Sequence, residues 1–327
     1  MNKLKNYGIL IKILISVTIL AALVMRMDFH ALSDFGAHFK LGAWVQAIIF
    51  IMLQNVFLGM RWRMLVNTGK KYLSVKEAMR MQFASQLGNL LFITSIGGVA
   101  ARIALAMRSG VSFLKAVIAS LFDRALTLAA LIILAVAFIP APGEYTNNRT
   151  VEHAMLVSAV LFIILVVGPL FLNFVIFRMV FVKRLKGKMR YCVRYAKILL
   201  RSPIRLARIV LVSLIAQICF FLSILSLTSA YGIELSFDKI MSVLPLITLV
   251  SSLPVSIGGW GVREGAFVYG YGLLGIKAET AFLISIQVGL TGVLAIALLG
   301  LPAILSYDFK IRKFMPTFLN RANKNSA

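Results

Sequence analysis

Charge is what this chain has little of, and negative charge above all. Only 14% of its 327 residues are charged, and 11 acidic side chains face 35 Lys and Arg, while 60% of the residues are hydrophobic. So little polar surface cannot coat a core of this size in water, which excludes a soluble globular protein. Cysteine is scarce as well. Cys192 lies in a basic stretch and Cys219 in an apolar one, so a disulfide framework is excluded and both are read as free thiols. The three histidines, His30, His38 and His153, show no metal-ligand spacing. Neither a G-x-S-x-G elbow, an H-E-x-x-H pair, a Walker A loop nor a D-x-D motif occurs. The sequence therefore assigns no catalytic residue, no metal and no cofactor, and reads as a protein that is not an enzyme.

Long apolar runs are what the chain has instead. Six are of bilayer-spanning length, at 7–25, 42–60, 111–138, 154–177, 209–231 and 281–306. The first is read as a span and not a signal peptide, because no A-x-A cleavage pattern follows it. The second ends in Arg61-Trp62-Arg63, a combination expected at the membrane interface. A net charge of +24 would suggest nucleic acid in a soluble protein. Here the cations sort by loop, so nucleic acid is not expected. Basic segments follow residues 60, 177 and 306, whereas acids collect at 28–34, 144–152 and 234–238. The positive-inside bias places the basic segments and both termini in the cytoplasm. Stretch 178–208, rich in Lys and Arg and free of acids, suits an amphipathic helix on an anionic leaflet.

Two further segments are broken by glycine pairs. Ser95-Ile96-Gly97-Gly98 is followed four residues later by Arg102, as Ser256-Ile257-Gly258-Gly259 is followed by Arg263. The orientation of the flanking loops requires each broken segment to enter and leave on one side, the first from the cytoplasm and the second from outside. The expected fold is therefore an all-α polytopic membrane protein, an inverted-topology repeat of six full spans plus two glycine-broken re-entrant hairpins. An alternative count gives eight transmembrane helices. On this reading residues 1–138 form the first repeat, with its hairpin at about 77–110, and 139–152 form an outer linker. Residues 153–306 form the second, with the basic cytoplasmic loop 178–208 and a hairpin at about 240–276, and 307–327 are a basic cytoplasmic tail.

Irregular backbone in a bilayer must be buried in protein or line a wet cavity. Each glycine pair opens a half-helix whose N–H groups and positive dipole end would attract an anion, and Arg102 and Arg263 in the first turns call for one. The competing explanation is that the glycines permit close packing and the arginines snorkel to headgroups. Asp123 and Arg124 lie well inside a span, where an ionised group costs on the order of 3 kcal/mol. Asp123 is expected to pair with Arg102 or Arg263, and Arg124 to reach Glu264 or a bound anion. Asn89, Ser95, Ser256 and Gln287 are candidate polar lining.

RWRML at 61–65, LGNLLFITSIGGVAAR at 87–102, ASLFDRALTLAAL at 119–131 and LPVSIGGWGVREGAF at 253–267 resemble blocks of one family. It is the lysylphosphatidylglycerol synthase transmembrane-domain family, flippase-like proteins also grouped as an uncharacterised UPF family. Arg102, Arg124, Arg263 and Glu264 match its pattern. The resemblance implies movement or binding of anionic or polyprenyl-phosphate lipids. In the multiple peptide resistance factors the module precedes a soluble aminoacyl transferase; that domain is missing here, so aminoacyl transfer is not expected. Val99 departs from the acidic residue that commonly follows the family's first glycine pair, so ion coupling through that position is not carried over.

These readings converge on a lipid transporter of the bacterial inner membrane that binds an anionic phospholipid or polyprenyl-phosphate headgroup near the midplane. Arg263, Arg124 and Arg102 would hold phosphate, with Gly97, Gly98, Gly258, Gly259, Ser95 and Ser256 lining its approach. Glu264 and Asp123 would balance charge in the empty site. The alternative is a non-transporting accessory subunit that orients a lipid-modifying enzyme or glycosyltransferase.

Overall fold

A run of apolar residues with cations only near its end makes Leu41–Val66 a single helix, α1, of 26 residues. At 1.5 Å per residue it measures about 39 Å, enough to cross a hydrocarbon core of about 30 Å. The computed structural model describes residues 40–91, 96–138, 194–199, 201–252 and 260–305. Its elements continue as α2 (Val75–Leu91), α3 (Ile96–Arg108), α4 (Phe113–Ala137), α5 (Pro203–Ala230), α6 (Phe237–Ser251), α7 (Val262–Gly272) and α8 (Ala278–Leu305). Every regular element among the described residues is helical. Helices α1, α4, α5 and α8 are long and apolar enough to cross a membrane. The runs at 7–25 and 154–177, the linker 139–152, most of the basic loop and the tail from 306 lie outside the described residues.

The broken segments become helix pairs. Helices α2 and α3 have 17 and 13 residues, and α6 and α7 have 15 and 11. At 1.5 Å per residue each is shorter than the hydrocarbon core. Pro245 sits inside α6 without ending it.

The polarity of the faces is that of a membrane protein. Leu41, Val45, Ile49 and Leu53 recur every four residues along an exposed face of α1, and Leu290, Leu294 and Leu298 do so on α8. Polar side chains turn inward instead, among them Asn55, Gln82, Ser213 and Glu264. An apolar exterior over a polar interior suits lipid as the surrounding solvent.

Packing is dominated by α1 against α5, which meet along much of their length. Two apolar clusters flank that seam. One joins Trp62, Leu65 and Met81 with Ala106, Ala119 and Ile209. The other is drawn mainly from α5 to α8, with Phe221, Leu244, Phe267, Tyr271 and Ile284. A helical stretch at 194–199, the described part of the basic loop, docks on the first cluster. Its Tyr195 hydroxyl donates to the Leu65 carbonyl at 2.8 Å. Lys115, buried in the first turn of α4, donates to the Thr68 carbonyl at 2.9 Å and lies over the Tyr72 ring. These contacts close one end of the bundle.

A reciprocal cap starts α2. Ser74 N–H and Oγ–H each donate to Glu77 Oε2 at 2.8 Å, and Glu77 N–H donates to Ser74 Oγ at 3.2 Å. The backbone N–H of Ser74, then its hydroxyl, hold the Glu77 carboxyl below its usual range. A depressed carboxylate adds stability that is complete above its unfolded pKa, about 4.3, and is lost as pH falls through the lower folded value. Hydrogen-exchange protection of the first turn of α2, corrected for intrinsic rates, should therefore be flat from pH 7 to 5 and fall below about pH 4. Glu77→Gln should lower the protection and remove its pH dependence.

Candidate functional site

The first charged cluster is assembled by five helices. Arg61 of α1 donates from Nε to Asp123 Oδ1 of α4 at 2.7 Å, from Nη1 to Ser213 Oγ of α5 at 3.2 Å and from Nη2 to Thr127 Oγ1 at 2.8 Å. Arg102 of α3 donates from Nη1 to the other Asp123 oxygen at 3.0 Å and from Nη2 to Gln82 Oε1 of α2. Gln82 and Gln86 in turn donate to Asn55 Oδ1 of α1 at 3.3 and 3.1 Å. One carboxylate thus serves two guanidinium groups whose side chains are only 2% and 12% exposed. The cluster carries an excess positive charge.

Two donors in it have no acceptor. Arg102 Nε and Trp62 Nε1 are buried without a hydrogen-bond partner among the described residues. The Arg102 guanidinium lies over the Trp62 ring, 4.9 Å from its centroid, so both orphaned N–H groups belong to one stacked pair. A buried donor left unpaired costs about 1–3 kcal/mol.

The second cluster is neutral. Glu264, fully buried in the first turn of α7, accepts from Arg263 Nε at 3.0 Å and Nη2 at 2.6 Å. Its second oxygen accepts from Gly261 N–H, and Ser285 of α8 stands 3.4 Å from the first. The Arg263 guanidinium stacks on Trp260 at 4.5 Å. It also lies flat against α8 at Gly289, where a Cβ would come within 2.6 Å of Nη2. Adjacent residues can pair here because Glu264 folds back on its own helix start, within reach of the long Arg263 side chain.

The two predicted arginines therefore sit in comparable settings, each on a tryptophan ring and each bonded to a carboxylate. Of the two partners considered for Asp123, Arg102 is the one at 3.0 Å. The pairing of Arg124 with Glu264 requires a correction: Glu264 is taken by Arg263, and Arg124 is exposed and has no ion-pair partner among the described residues. Successive helix positions lie about 100° apart, so turning Asp123 inward turns Arg124 outward. Arg61 and Trp62 are corrected as well. Neither reaches out to lipid headgroups: both side chains turn into the protein core, 2% and 0% exposed.

The half-helix starts also differ from expectation. Asn89 Oδ1 accepts the Gly98 N–H at 3.0 Å, and Ser85 Oγ donates to the Gly98 carbonyl at 2.8 Å. Gly98 must be glycine, since a Cβ would collide with the Ser85 carbonyl and the Asn89 side chain. Gly97 follows Ile96 in the same first turn. With Asn89 on one start and Glu264 on the other, part of the donor capacity expected to face an anion is satisfied internally. Gln287 hydrogen-bonds Tyr231. Ser95, Ser256, Gly258 and Gly259 lie outside the described residues.

Sequence reasoning missed Arg61, Gln82, Thr127, Ser213, Ser285 and Gly289 as members of these networks. A cation in the last turns of an apolar run was the one available signal for Arg61. Which way Gln82 or Ser213 points could not be read from spacing alone.

An apolar exterior, four helices of spanning length and buried ionic networks define an integral, polytopic, all-α membrane protein. The chain matches the model of the Lysylphosphatidylglycerol synthase TM region over residues 9–300, and it belongs to that family. Membership associates it with membrane lipid metabolism. Neither a curated protein nor a solved structure matches the chain.

Proposed function

We propose that the protein is a flippase-like lipid transporter, not an enzyme, and that it binds the phosphate of an anionic phospholipid or polyprenyl-phosphate headgroup between its two broken elements. The observation that carries this reading is the cation excess around Asp123. Arg61 and Arg102 share one carboxylate, and Arg102 Nε and Trp62 Nε1 lack acceptors among the described residues. A phosphate would supply both missing negative charge and missing acceptor oxygens, and charge-assisted bonds to guanidinium are among the strongest available. Arg263, neutralised by Glu264, would be the second station, released when a headgroup competes for it.

The order of packing supports a repeat. Exchanging α1–α4 for α5–α8 in sequence order turns each substantial helix pairing into another that also occurs: α2 with α8 becomes α6 with α4, and α3 with α4 becomes α7 with α8. Only α1 with α5 maps onto itself, as expected for elements on a pseudo-twofold axis. Cation bias favours the inversion, with both termini in the cytoplasm, and the proposed location is the bacterial inner membrane. In such folds the site forms near the midplane where the broken elements face one another.

The test is a leaflet-resolved assay on vesicles reconstituted with phosphatidylglycerol. Arg102→Gln keeps the Arg61–Asp123 pair and should lower the transport rate at least tenfold in a folded protein, and Arg263→Gln should do likewise. Rates within twofold of wild type in both would overturn the proposal.

A further inference from the structure

A second basic feature lies apart from the intramembrane clusters. Where α1 ends and α5 begins, a cavity of about 350 Å³ is lined by Arg63, Met64, Ser202, Ile204, Arg205 and Arg208. That volume falls within the range of small-ligand sites, roughly 300–1,000 Å³. Arg63 is two residues beyond Arg61, a rotation of about 200° that carries it to the other side of α1. It is thus separate from the Asp123 network. No carboxylate lines the cavity, and none of the three arginines has an ion-pair partner among the described residues.

The cavity has a polar floor and an apolar shoulder. Arg63 Nε is used on the Leu73 carbonyl at 3.3 Å, and Ser202 Oγ accepts Arg205 N–H as the cap of α5, with Pro203 behind it. The terminal nitrogens of three guanidinium groups stay available. Ile204 is 65% exposed beside them, a position suited to glycerol and acyl chain. Arg194, Lys197 and Arg201 are exposed on the adjoining segment, which Tyr195 fastens to Leu65. All lie at one end of two spanning helices, the end assigned to the cytoplasm by charge.

We infer that this cavity is a binding site for the phosphodiester of an anionic phospholipid in the cytoplasmic leaflet, held by Arg63, Arg205 and Arg208. Its position at a span terminus matches the depth of a headgroup, and its uncompensated charge matches an anionic leaflet and no zwitterionic one. The site would hold one lipid at the α1–α5 seam whether or not the intramembrane clusters transport anything.

The experiment uses full-length protein in a nonionic detergent, in an Arg102→Gln background so that the first intramembrane cluster is disabled. Bound lipid is counted by native mass spectrometry during titration with phosphatidylglycerol, with phosphatidylcholine, or with soluble glycerol phosphate as competitor. Arg205→Gln/Arg208→Gln should weaken phosphatidylglycerol binding at least tenfold and leave phosphatidylcholine binding unchanged. Glycerol phosphate should fail to displace the lipid at micromolar concentration. Phosphatidylglycerol affinity within twofold of the parent would overturn the site, and displacement by micromolar glycerol phosphate would make it a free-phosphate site instead. Should the double variant not fold, the parent protein still decides: its affinity for phosphatidylglycerol must fall steeply with salt, and a flat response overturns the inference. With Arg205→Gln/Arg208→Gln placed in the wild-type chain instead, loss of lipid here with normal transport, or the reverse, separates this site from the transport reading.

Discussion

Asp123→Ala should destabilise the protein by about 3–5 kcal/mol, the range observed when one partner of a buried ion pair is removed. Among the described residues no carboxylate other than that of Asp123 bonds two guanidinium groups; the distances are 2.7 and 3.0 Å, and both cations are nearly inaccessible. Removing it leaves two buried like charges facing one another. Thermal unfolding in detergent should show a markedly lower midpoint. A sign reversal makes the test specific to charge: Arg102→Gln should cost stability in the wild type but restore some in an Asp123→Asn background, where it deletes an unpaired cation. If Arg102→Gln costs the same in both, the pair is not electrostatically coupled and Asp123 acts only through packing.

Glu264→Gln should cost about 3 kcal/mol, because the lost charge serves a buried arginine and a helix start together. The carboxylate accepts from Arg263 Nε and Nη2 through one oxygen and from Gly261 N–H through the other. An amide offers one acceptor where two are needed. Its NH₂ must face either the Arg263 guanidinium or the Gly261 N–H, donor against donor. Glu264→Asp keeps the charge but shortens the arm by one methylene, so it should serve Arg263 or Gly261 and not both. Its loss in unfolding midpoint should fall between wild type and Glu264→Gln. Equal midpoints for wild type and Glu264→Gln would show that Arg263 finds other compensation.

The contrast between the clusters bears on how such a protein could work. Around Asp123 a positive charge is left over, whereas around Glu264 the charge is closed and the arginine is held by its sequence neighbour. On the proposed reading, a headgroup phosphate would meet an unmet demand at the first and a competitor at the second. That asymmetry would give the two ends of a transport path different affinities. Both arginines are stacked on indole rings, which keeps the planar groups in place when a hydrogen-bond partner is exchanged.

Much of this was legible in the sequence because it depends on local pattern. Spanning lengths for α1, α4, α5 and α8 follow from long apolar runs, and the division of the other two segments into short helices follows from their glycine pairs, Gly97-Gly98 falling in the first turn of α3. The importance of Asp123, Arg102, Arg263 and Glu264 follows from the cost of charge in a hydrocarbon environment. Pairing was harder. Asp123 and Arg124 look alike as intramembrane charges, yet one turn-fraction of rotation buries the first and exposes the second. Arg61 reads as a headgroup-facing residue until packing turns it inward onto Asp123, Thr127 and Ser213.

By itself, then, the sequence determined an all-α membrane protein, its family, the order of long and broken segments and the side chains too costly to be incidental. Tertiary structure alone decided which cations share Asp123, that Asn89 and Glu264 occupy the half-helix starts, that Gly289 admits Arg263 against α8, and that Arg63 meets Arg205 and Arg208 across a cavity. The reason is physical. Hydropathy and helix breaking act over a few neighbouring residues, whereas a partner is chosen by the rotation and depth of helices brought together from more than a hundred residues away.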